Sequence, residues 1–402
     1  MEFIVSRNRL LQALNHGRTV MASKMAVPLF GNFFFTFSED GTIMTVHSSD
    51  GEIWFSERVV LDATAVESRS ISVWYHELLK ALKALDEQPL RFIVGEMQMT
   101  VKHSCGQFRL PLGGNAEEFF SFSGYKRIHF DDVPHECAEF EAPGLRSILN
   151  RCKIAMAEDE LRPVMNGIYF NLTDDYYDFV SSDGHRLIRV RKAAPNVGKA
   201  IFSVMVHRKV VQSLLRILPV TGDVELKYKV VKEKDINDKV KIIYCAQFVI
   251  DDTITLSFQP FDGRYPDYMS VIPGFDKFNA DVTVDRRLFL KSVDRISIFA
   301  NYSSECVRMN IADNTITLRA SDNDFELEGE ETIPCEYVNN GKLPTLLTGL
   351  KASGIASLFK HLDTQNVVIH FIDGTRCFII EPVPQPDVED VLMLQMPMML
   401  SD

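Results

Sequence analysis

The chain has 402 residues, 46% hydrophobic and 24% charged, the balance of a soluble globular protein too long for one ordinary core. Its net charge of −12, taken as an average, speaks against a nucleic-acid partner. Seven cysteines, odd in number and without a CxxC or other ligand spacing, argue for a reducing cytosol and against structural zinc.

No stretch approaches ~20 uninterrupted apolar residues, so no membrane span is expected. Met1 to Arg9 carries charges where a signal peptide needs an apolar core, so the expected location is cytoplasmic.

The first predicted element is an amphipathic helix over 7–18, with Leu10, Leu11 and Leu14 on one face. An alternating strand, Thr42-Ile43-Met44-Thr45-Val46, then runs into Ser48-Ser49-Asp50-Gly51. A second helix over 72–85 carries Leu78, Leu79, Leu82 and Leu85, and a polar turn leads to the strand Leu90-Arg91-Phe92-Ile93-Val94.

The same order then returns. A helix over 143–155 (Leu145, Ile148, Leu149) precedes the strand Tyr177-Asp178-Phe179-Val180 and the segment Ser181-Ser182-Asp183-Gly184. A helix over 207–217 (Val210, Val211, Leu214, with Leu218 just beyond) leads to Val224-Glu225-Leu226-Lys227-Tyr228. On the third pass come a helix over 285–296 (Leu288, Phe289, Val293), the strand Thr315-Ile316-Thr317-Leu318 and Ala320-Ser321-Asp322-Asn323. A helix over 351–361 (Ile355, Leu358, Phe359, with Leu362 just beyond) and the strand Val367-Val368-Ile369-His370-Phe371 complete it.

The three aspartates lie 133 and 139 residues apart, close to one third of the chain. Asp-Gly and Asp-Asn tolerate positive φ, so each copy reads as a turn between strands. The pattern predicts an α+β protein of three repeats, each a strand-rich unit with two helices covering one face of its sheet. Boundaries fall near 126 and 277, giving domains 1–126, 127–277 and 278–402. The linkers are Gly113-Gly114-Asn115 to Gly124 and Asp262-Gly263-Arg264 to Gly274, and the charged excursion Lys229 to Lys241 reads as an extended hairpin tip.

Charge is not spread evenly. The six helix spans hold 17 Lys and Arg against Glu77, Asp285 and Asp294, a surplus of 14 cations, which leaves −26 on the rest of the chain. If the polar faces of all six point one way, they form a positive surface that attracts phosphates without sequence preference. Taken singly, each is an ordinary solvated helix face. The candidates are Arg7, Arg9, Arg18, Lys24, Arg146, Arg151, Lys153, Arg208, Lys209, Arg286, Arg287, Lys291 and Lys360.

Four segments in order resemble the beta subunit of bacterial DNA polymerase III, the sliding clamp family. They are Met25-Ala26-Val27-Pro28-Leu29-Phe30-Gly31-Asn32; Arg162-Pro163-Val164-Met165-Asn166-Gly167 with Ser182-Asp183-Gly184-His185-Arg186-Leu187; Asp262-Gly263-Arg264-Tyr265-Pro266-Asp267-Tyr268; and Met396-Pro397-Met398-Met399-Leu400. The resemblance spans essentially the whole chain. It implies a head-to-tail homodimer whose six domains close a ring, with helices lining a central pore and β-sheets outside. Its implied dimer contacts are Phe108 and Leu110 on the first domain, with Ile298 and Phe299 on the third.

It also implies a peptide-binding pocket walled by Met165, Ser182, Gly184, His185, Arg186, Leu187, Pro266, Val271, Thr375, Cys377, Leu394, Met396, Pro397 and Met398. An apolar groove rich in Met and Pro accepts leucine or phenylalanine side chains from varied peptides. The implied partners are duplex DNA, the polymerase III catalytic subunit, an ATP-dependent clamp loader and other proteins carrying clamp-binding motifs; no cofactor is implied. Lys24 and Arg162 keep basic residues where relatives touch DNA. Ser270 and Met399 stand where relatives commonly carry arginine, and Gln395 replaces an apolar residue, which points to an altered peptide preference or a diverged copy.

No GxxxxGK[ST], HExxH or GxSxG motif is present. Asp183, His185 and Asp267 could be imagined as the metal site of a DNA-processing nuclease. The other repeats place Asp50 with Glu52 and Asp322 with Asp324 at the same point, so a turn explains Asp183 better. A monomeric clamp-like adaptor that binds peptides without closing a ring is the remaining alternative.

Overall fold

The computed structural model describes residues 1–22, 27–65, 69–113, 115–130, 133–196, 198–234, 240–339 and 341–400. By compactness the chain divides into two units, Met1–Arg146 with Val206–Asp262, and Ser147–Met205 with Gly263–Asp402.

Six helices fall on the six predicted spans: α1 Arg7–Arg18, α2 Tyr75–Lys83, α3 Ala142–Cys152, α4 Arg208–Ile217, α5 Arg286–Ile296 and α6 Ala352–Lys360. Each buries most of its predicted apolar stripe, Leu10 and Leu14 in α1 and Leu78, Leu79 and Leu82 in α2 among them, while Leu11, Leu85 and Leu288 are half-buried. Such burial is worth roughly 1.5–3 kcal/mol per large aliphatic side chain. The starts of α1 and α5 are capped by Ser6, which accepts from Arg9 N at 3.3 Å, and by Asp285, which accepts from Leu288 N at 2.8 Å. α2 begins later than predicted because Ile71–Trp74 is a strand paired with Asn32–Phe37. α3 ends early, its last predicted turn being the tighter 3-10 turn Lys153–Ala155.

The first unit holds an eight-stranded sheet in the order Ile71–Trp74, Asn32–Phe37, Ile43–Ser49, Ile53–Val60, Ile254–Phe258, Val240–Ile250, Asp223–Lys234, Glu136–Glu141. A four-stranded sheet runs Glu2–Ser6, Pro89–Val94, Gln98–His103, Gly106–Pro111. Phe3, Phe33, Phe35, Phe92 and Val101 meet the α1 and α2 leucines in one core. At Gly17 the backbone of α1 lies close to side chains of the sheet. A Cβ there would stand 2.9 Å from Ser48 Oγ and 3.1 Å from the Phe33 and Phe55 rings, so any larger residue would have to displace these side chains.

The second unit repeats the plan. Its long sheet runs Phe202–His207, Gly167–Leu172, Tyr176–Ser182, Arg186–Ala193, Asp390–Gln395, Phe378–Val383, Asn366–Phe371, Ala280–Asp285, Glu336–Asn339. Its short sheet runs Leu327–Pro334, Thr315–Asp322, Cys306–Ala312, Leu346–Lys351. In each long sheet, strands of two consecutive repeats join edge to edge in one register: Ile53 faces Phe258, and Arg186 faces Gln395.

One expectation needs correction. The third turn does not copy the first two: Gly51 and Gly184 take φ of +98° and +88°, whereas in the longer loop after Asp322 the positive φ falls on Glu326. The excursion from Lys229 is largely paired strand, with Lys234 opposite Val240, and residues 235–239 of the expected tip lie outside the described residues. Lys229 itself is buried. Its ammonium donates to His129 O and lies 4.6 Å from the centre of the Phe130 ring.

Candidate functional site

The Ser-Asp-Gly segments are self-satisfied turns. Asp183 Oδ1 accepts from the backbone N–H of His185 and Arg186, both at 3.0 Å, and Asp50 Oδ1 does the same for Glu52 and Ile53 at 3.0 and 2.8 Å. Ser182 Oγ donates to Arg186 O at 2.9 Å, as Ser49 Oγ does to Ile53 O at 2.7 Å. The preceding serines turn inward: Ser181 Oγ donates to Cys152 O at 2.6 Å and Ser48 Oγ to Gly17 O at 2.9 Å, tying each hairpin to the end of its helix. Asp183 is thus spent on its turn and on Arg186 Nε at 2.8 Å.

That turn projects exposed His185 and half-buried Arg186, whose Nη1 donates to Ser357 Oγ on α6 at 2.8 Å. Leu187 then enters the sheet opposite Leu394, which in turn faces Ile379, so the three side chains form a row on one face. They pack with Tyr265, Tyr268 and Leu392, and the half-buried Cys377 joins them. Burial pushes the Cys377 thiol above its ordinary pKa, so it serves as a small apolar group at neutral pH.

Two of these wall residues, Tyr265 and Tyr268, were not singled out in the sequence although they stand in the quoted Asp262–Tyr268 motif. Tyr268 OH donates to Asp178 Oδ2 at 2.8 Å, and Asp178, fully buried, takes both arms of Arg191 at 2.7 Å. Burial and then the Asp178 hydrogen bond raise the tyrosine pKa. This network fixes the short helix Tyr268–Val271, which leaves Val271 exposed one turn away.

Met396 continues from Leu394; its N–H donates to His185 O at 2.8 Å, and its side chain is 43% exposed. Gln395 is buried, its Nε2 donating to Met396 O at 2.9 Å while its Oε1 has no hydrogen-bond partner among the described residues. Ser270 Oγ donates to Asp267 O at 2.8 Å, and Met399 is exposed. Pro266 and Thr375 are exposed, and Pro397 and Met398 half-buried. Met398 N donates to Gly349 O at 2.9 Å, which fastens the C-terminal segment to the short sheet. Met165 is buried in the 3-10 turn Pro163–Met165, outside the Leu187–Leu394 cluster, and Ser182 and Gly184 serve the turn.

The basic residues fall into two groups. In every repeat an arginine of the first helix is spent on the C-terminal end of the second. Arg7 donates to Leu82 O at 2.9 Å and Lys83 O at 3.3 Å; Arg146 donates to Leu215 O at 2.9 Å and to Leu218 O; Arg286 donates to Phe359 O at 3.2 Å and Thr364 O at 2.8 Å. A cation there satisfies orphan carbonyls and the negative end of the helix dipole. Others are ion-paired: Arg9 with Asp62, Arg151 with Glu389 and Asp363, Arg162 with Asp159, and Lys209 with Asp50. Arg18 donates to Met21 O at 2.9 Å and lies over the Tyr75 ring, Lys153 donates to Asn150 Oδ1 at 2.7 Å, and Arg208 is half-buried.

Arg287 and Lys291 on α5 are exposed, with no carboxylate partner among the described residues, and Lys360 is exposed 3.8 Å from Asp294. Lys80, Lys83, Arg216 and Lys351, counted in the surplus but not singled out, are exposed too. Lys24 lies outside the described residues.

The implied dimer contacts lie on sheet edges. Gly106–Pro111 is the last strand of its short sheet, with Phe108 half-buried and Leu110 buried against its own core. Ile298, in the turn after α5, is 71% exposed, and Phe299 packs over Gly329 of the edge strand Leu327–Pro334. Phe325 (75% exposed), Tyr302 and Leu327 add exposed apolar surface around that edge.

Three α+β repeats that share sheets edge to edge and carry paired helices rich in cations define a DNA clamp rather than a catalyst. Models of the DNA polymerase III beta subunit match the chain throughout: the N-terminal domain at residues 1–121, the central domain at 139–267 and the C-terminal domain at 269–398. The chain belongs to the DNA polymerase III beta subunit family, the non-catalytic sliding clamps of bacterial DNA replication.

Among similar proteins, the beta sliding clamp of Pseudomonas putida is 24% identical over 397 residues, covering 98% of this chain and 99% of its own. That of Pseudomonas aeruginosa is 25% identical over 405 residues, covering 100% of both. A solved sliding clamp from P. aeruginosa, bound to griselimycin, has the same fold, with a TM-score of 0.83 at 22% identity over 100% of both chains. No helix among the described residues is long and apolar enough to cross a membrane.

Proposed function

We propose that two copies of this chain join head to tail into a ring of six domains, from repeats 1–126, 127–277 and 278–402, and that the ring encircles duplex DNA in the cytoplasm. The reading is carried by the family match over all three segments of the chain. Closure joins the Phe108 and Leu110 edge of one copy to the Ile298 and Phe299 edge of the other, two different surfaces, as a head-to-tail contact requires. Phosphates are held without base preference by the exposed cations, Arg287, Lys291, Lys360, Lys80, Lys83, Arg216 and Lys351 first, with smaller shares from Lys24, Lys153, Arg162 and Arg208.

The groove of Leu187, Leu394, Met396, Pro266 and Val271, rimmed by His185 and Arg186, takes short motifs of the polymerase catalytic subunit, the ATP-dependent clamp loader and other partners. A half-exposed methionine beside a fixed apolar row adapts to different leucine and phenylalanine anchors.

The test is topological. Loaded by an ATP-dependent clamp loader onto a nicked circular plasmid, the protein stays bound through gel filtration and leaves once the plasmid is linearised. Equal retention on both forms, or a monomer by sedimentation at working concentration, rejects the ring.

A further inference from the structure

We propose a second peptide-binding pocket in the first unit, walled by Trp54, Phe122, His207, Pro260 and Phe261 and rimmed by Glu52 and Asp262. It takes a short segment with one aromatic or leucine anchor flanked by lysine or arginine. The reading of the groove as a peptide site underlies the comparison, but the pocket stands on its own geometry.

The two long sheets share one register, and that register maps one site onto the other. Ile53 faces Phe258 as Arg186 faces Gln395, so Trp54 holds the position of Leu187, and Glu52 that of His185. Counting on from the paired strand, Gln259, Pro260 and Phe261 stand where Met396, Pro397 and Met398 stand. The short helices Ala116–Ser121 and Ser123–Arg127, with Phe122 between them, occupy the place in chain order of Tyr268–Val271. In this unit those elements enclose a cavity of about 310 Å³, lined also by Gly51, Gly124 and Arg127. That volume, at the small end of ligand sites, suits one or two side chains rather than a long segment.

The walls are aromatic and partly open. Phe122 lies 5.8 Å from Trp54 and 5.5 Å from Phe30, ring to ring, and Phe261 stacks on His207 at 4.2 Å; both phenylalanines are more than a third exposed. Phe119, stacked on Phe34 at 4.0 Å and set against Trp54 at 5.1 Å, fixes the floor.

Charge then selects the occupant. Arg127 is held by Glu233, with Nε 2.9 and 3.1 Å from its two oxygens, and Asp50 is paired with Lys209. Burial lowers the His207 pKa to about 4, so the ring is neutral near pH 7. Glu52 and Asp262 remain exposed without a cationic partner among the described residues. The rim is therefore net acidic, whereas at the groove Arg186 is already paired with Asp183, so charge distinguishes two sites with similar anchors.

The chain has two tryptophans, so replacing Trp74 by phenylalanine leaves Trp54 as the single emitter inside the pocket. The unlabelled peptide Lys-Gly-Leu-Phe-Gly-Lys is titrated into this full-length W74F protein while Trp54 emission is followed. A saturable change is expected. It should weaken about tenfold or more in Glu52→Lys with Asp262→Lys, two surface changes that leave the core alone. It should weaken about thirtyfold in Phe261→Ala. The response should persist in Leu187→Ala with Met396→Ala.

No emission change up to millimolar peptide, or a response that the rim reversal leaves intact, overturns the second pocket. A fluorescein-labelled peptide bearing a glutamine and hydrophobic anchors is followed by anisotropy in the same variants. Its loss in the Leu187 and Met396 pair alone keeps the groove; its indifference to that pair sinks the groove without touching the Trp54 result.

Discussion

Arg286 and Arg287 are neighbours on α5 with different work to do, and separating them tests the division of cations drawn above. Arg286 gives two charge-assisted hydrogen bonds, to Thr364 O at 2.8 Å and Phe359 O at 3.2 Å. Bonds of that kind are worth about 1.5–3 kcal/mol each, but water can take the carbonyls of a half-exposed helix end, so Arg286→Ala should cost about 2 kcal/mol in total. For a unit of this size that lowers the thermal midpoint by about 4–8 °C. Because chains of several domains do not unfold in one step, exchange of the amides at the end of α6 and in the following turn is the sharper local readout. Arg287→Glu with Lys291→Glu should leave the midpoint and that exchange unchanged. It should lower the slope of log affinity against log salt for DNA by about 2 per subunit. If Arg286→Ala leaves α6 unaltered, or weakens DNA retention as much as the double reversal does, the division is wrong.

Ile298→Asp with Phe299→Asp should convert a dimer to monomers by sedimentation, since each buried apolar side chain is worth roughly 1.5–3 kcal/mol; a surviving dimer would place the interface elsewhere. Leu187→Ala with Met396→Ala should cost about 2 kcal/mol or more of peptide affinity while leaving mass and DNA retention as they were, read by a labelled peptide. Acid should destabilise the first unit through His47, whose pKa burial, followed by repulsion from His129, lowers to about 3. The unfolded chain takes up that proton near pH 6.5 and the folded chain does not, so this contribution is full above pH 6.5 and falls away as pH drops towards 3. His47→Gln should flatten the stability profile in that window, and an unchanged profile would remove His47 as the cause.

The helices were legible because burial writes itself into spacing: Leu10 with Leu14, or Leu288 with Phe289 and Val293, shows which face meets a sheet before the sheet is known. The groove was half legible. Leu187, Leu394 and Cys377 do share one cluster, but spacing does not reveal Tyr265 and Tyr268, because Tyr268 is placed by Asp178, 90 residues away, and Tyr265 by the ring of Tyr169. The third turn misled because Asn323 resembles Gly51 and Gly184 in its tolerance of positive φ, while the longer loop moved that conformation to Glu326. Lys229 shows a burial that composition does not reveal. A lysine in a charged run reads as solvated, yet a carbonyl and an aromatic face can bury it.

A charge count overstates the cations open to DNA. A surplus of 14 cations on six helices looks like a phosphate-binding surface, but Arg7, Arg146 and Arg286 are needed to close helix ends, and Arg9, Arg151 and Lys209 already hold carboxylates. Arginine suits the first task because its planar fork can reach two carbonyls at once. Three copies of that contact, alongside two copies of the serine tie and the Asx turn, mean that the repeat preserves internal satisfaction of polar groups as well as an apolar pattern. On the proposed reading, the cations left for a phosphate backbone are fewer and mostly exposed lysines, each expected to make a small and replaceable contribution. The proposed ring, which must hold duplex DNA and still slide along it, requires contacts of that kind, many and weak, and a tight bidentate arginine at every helix would work against it.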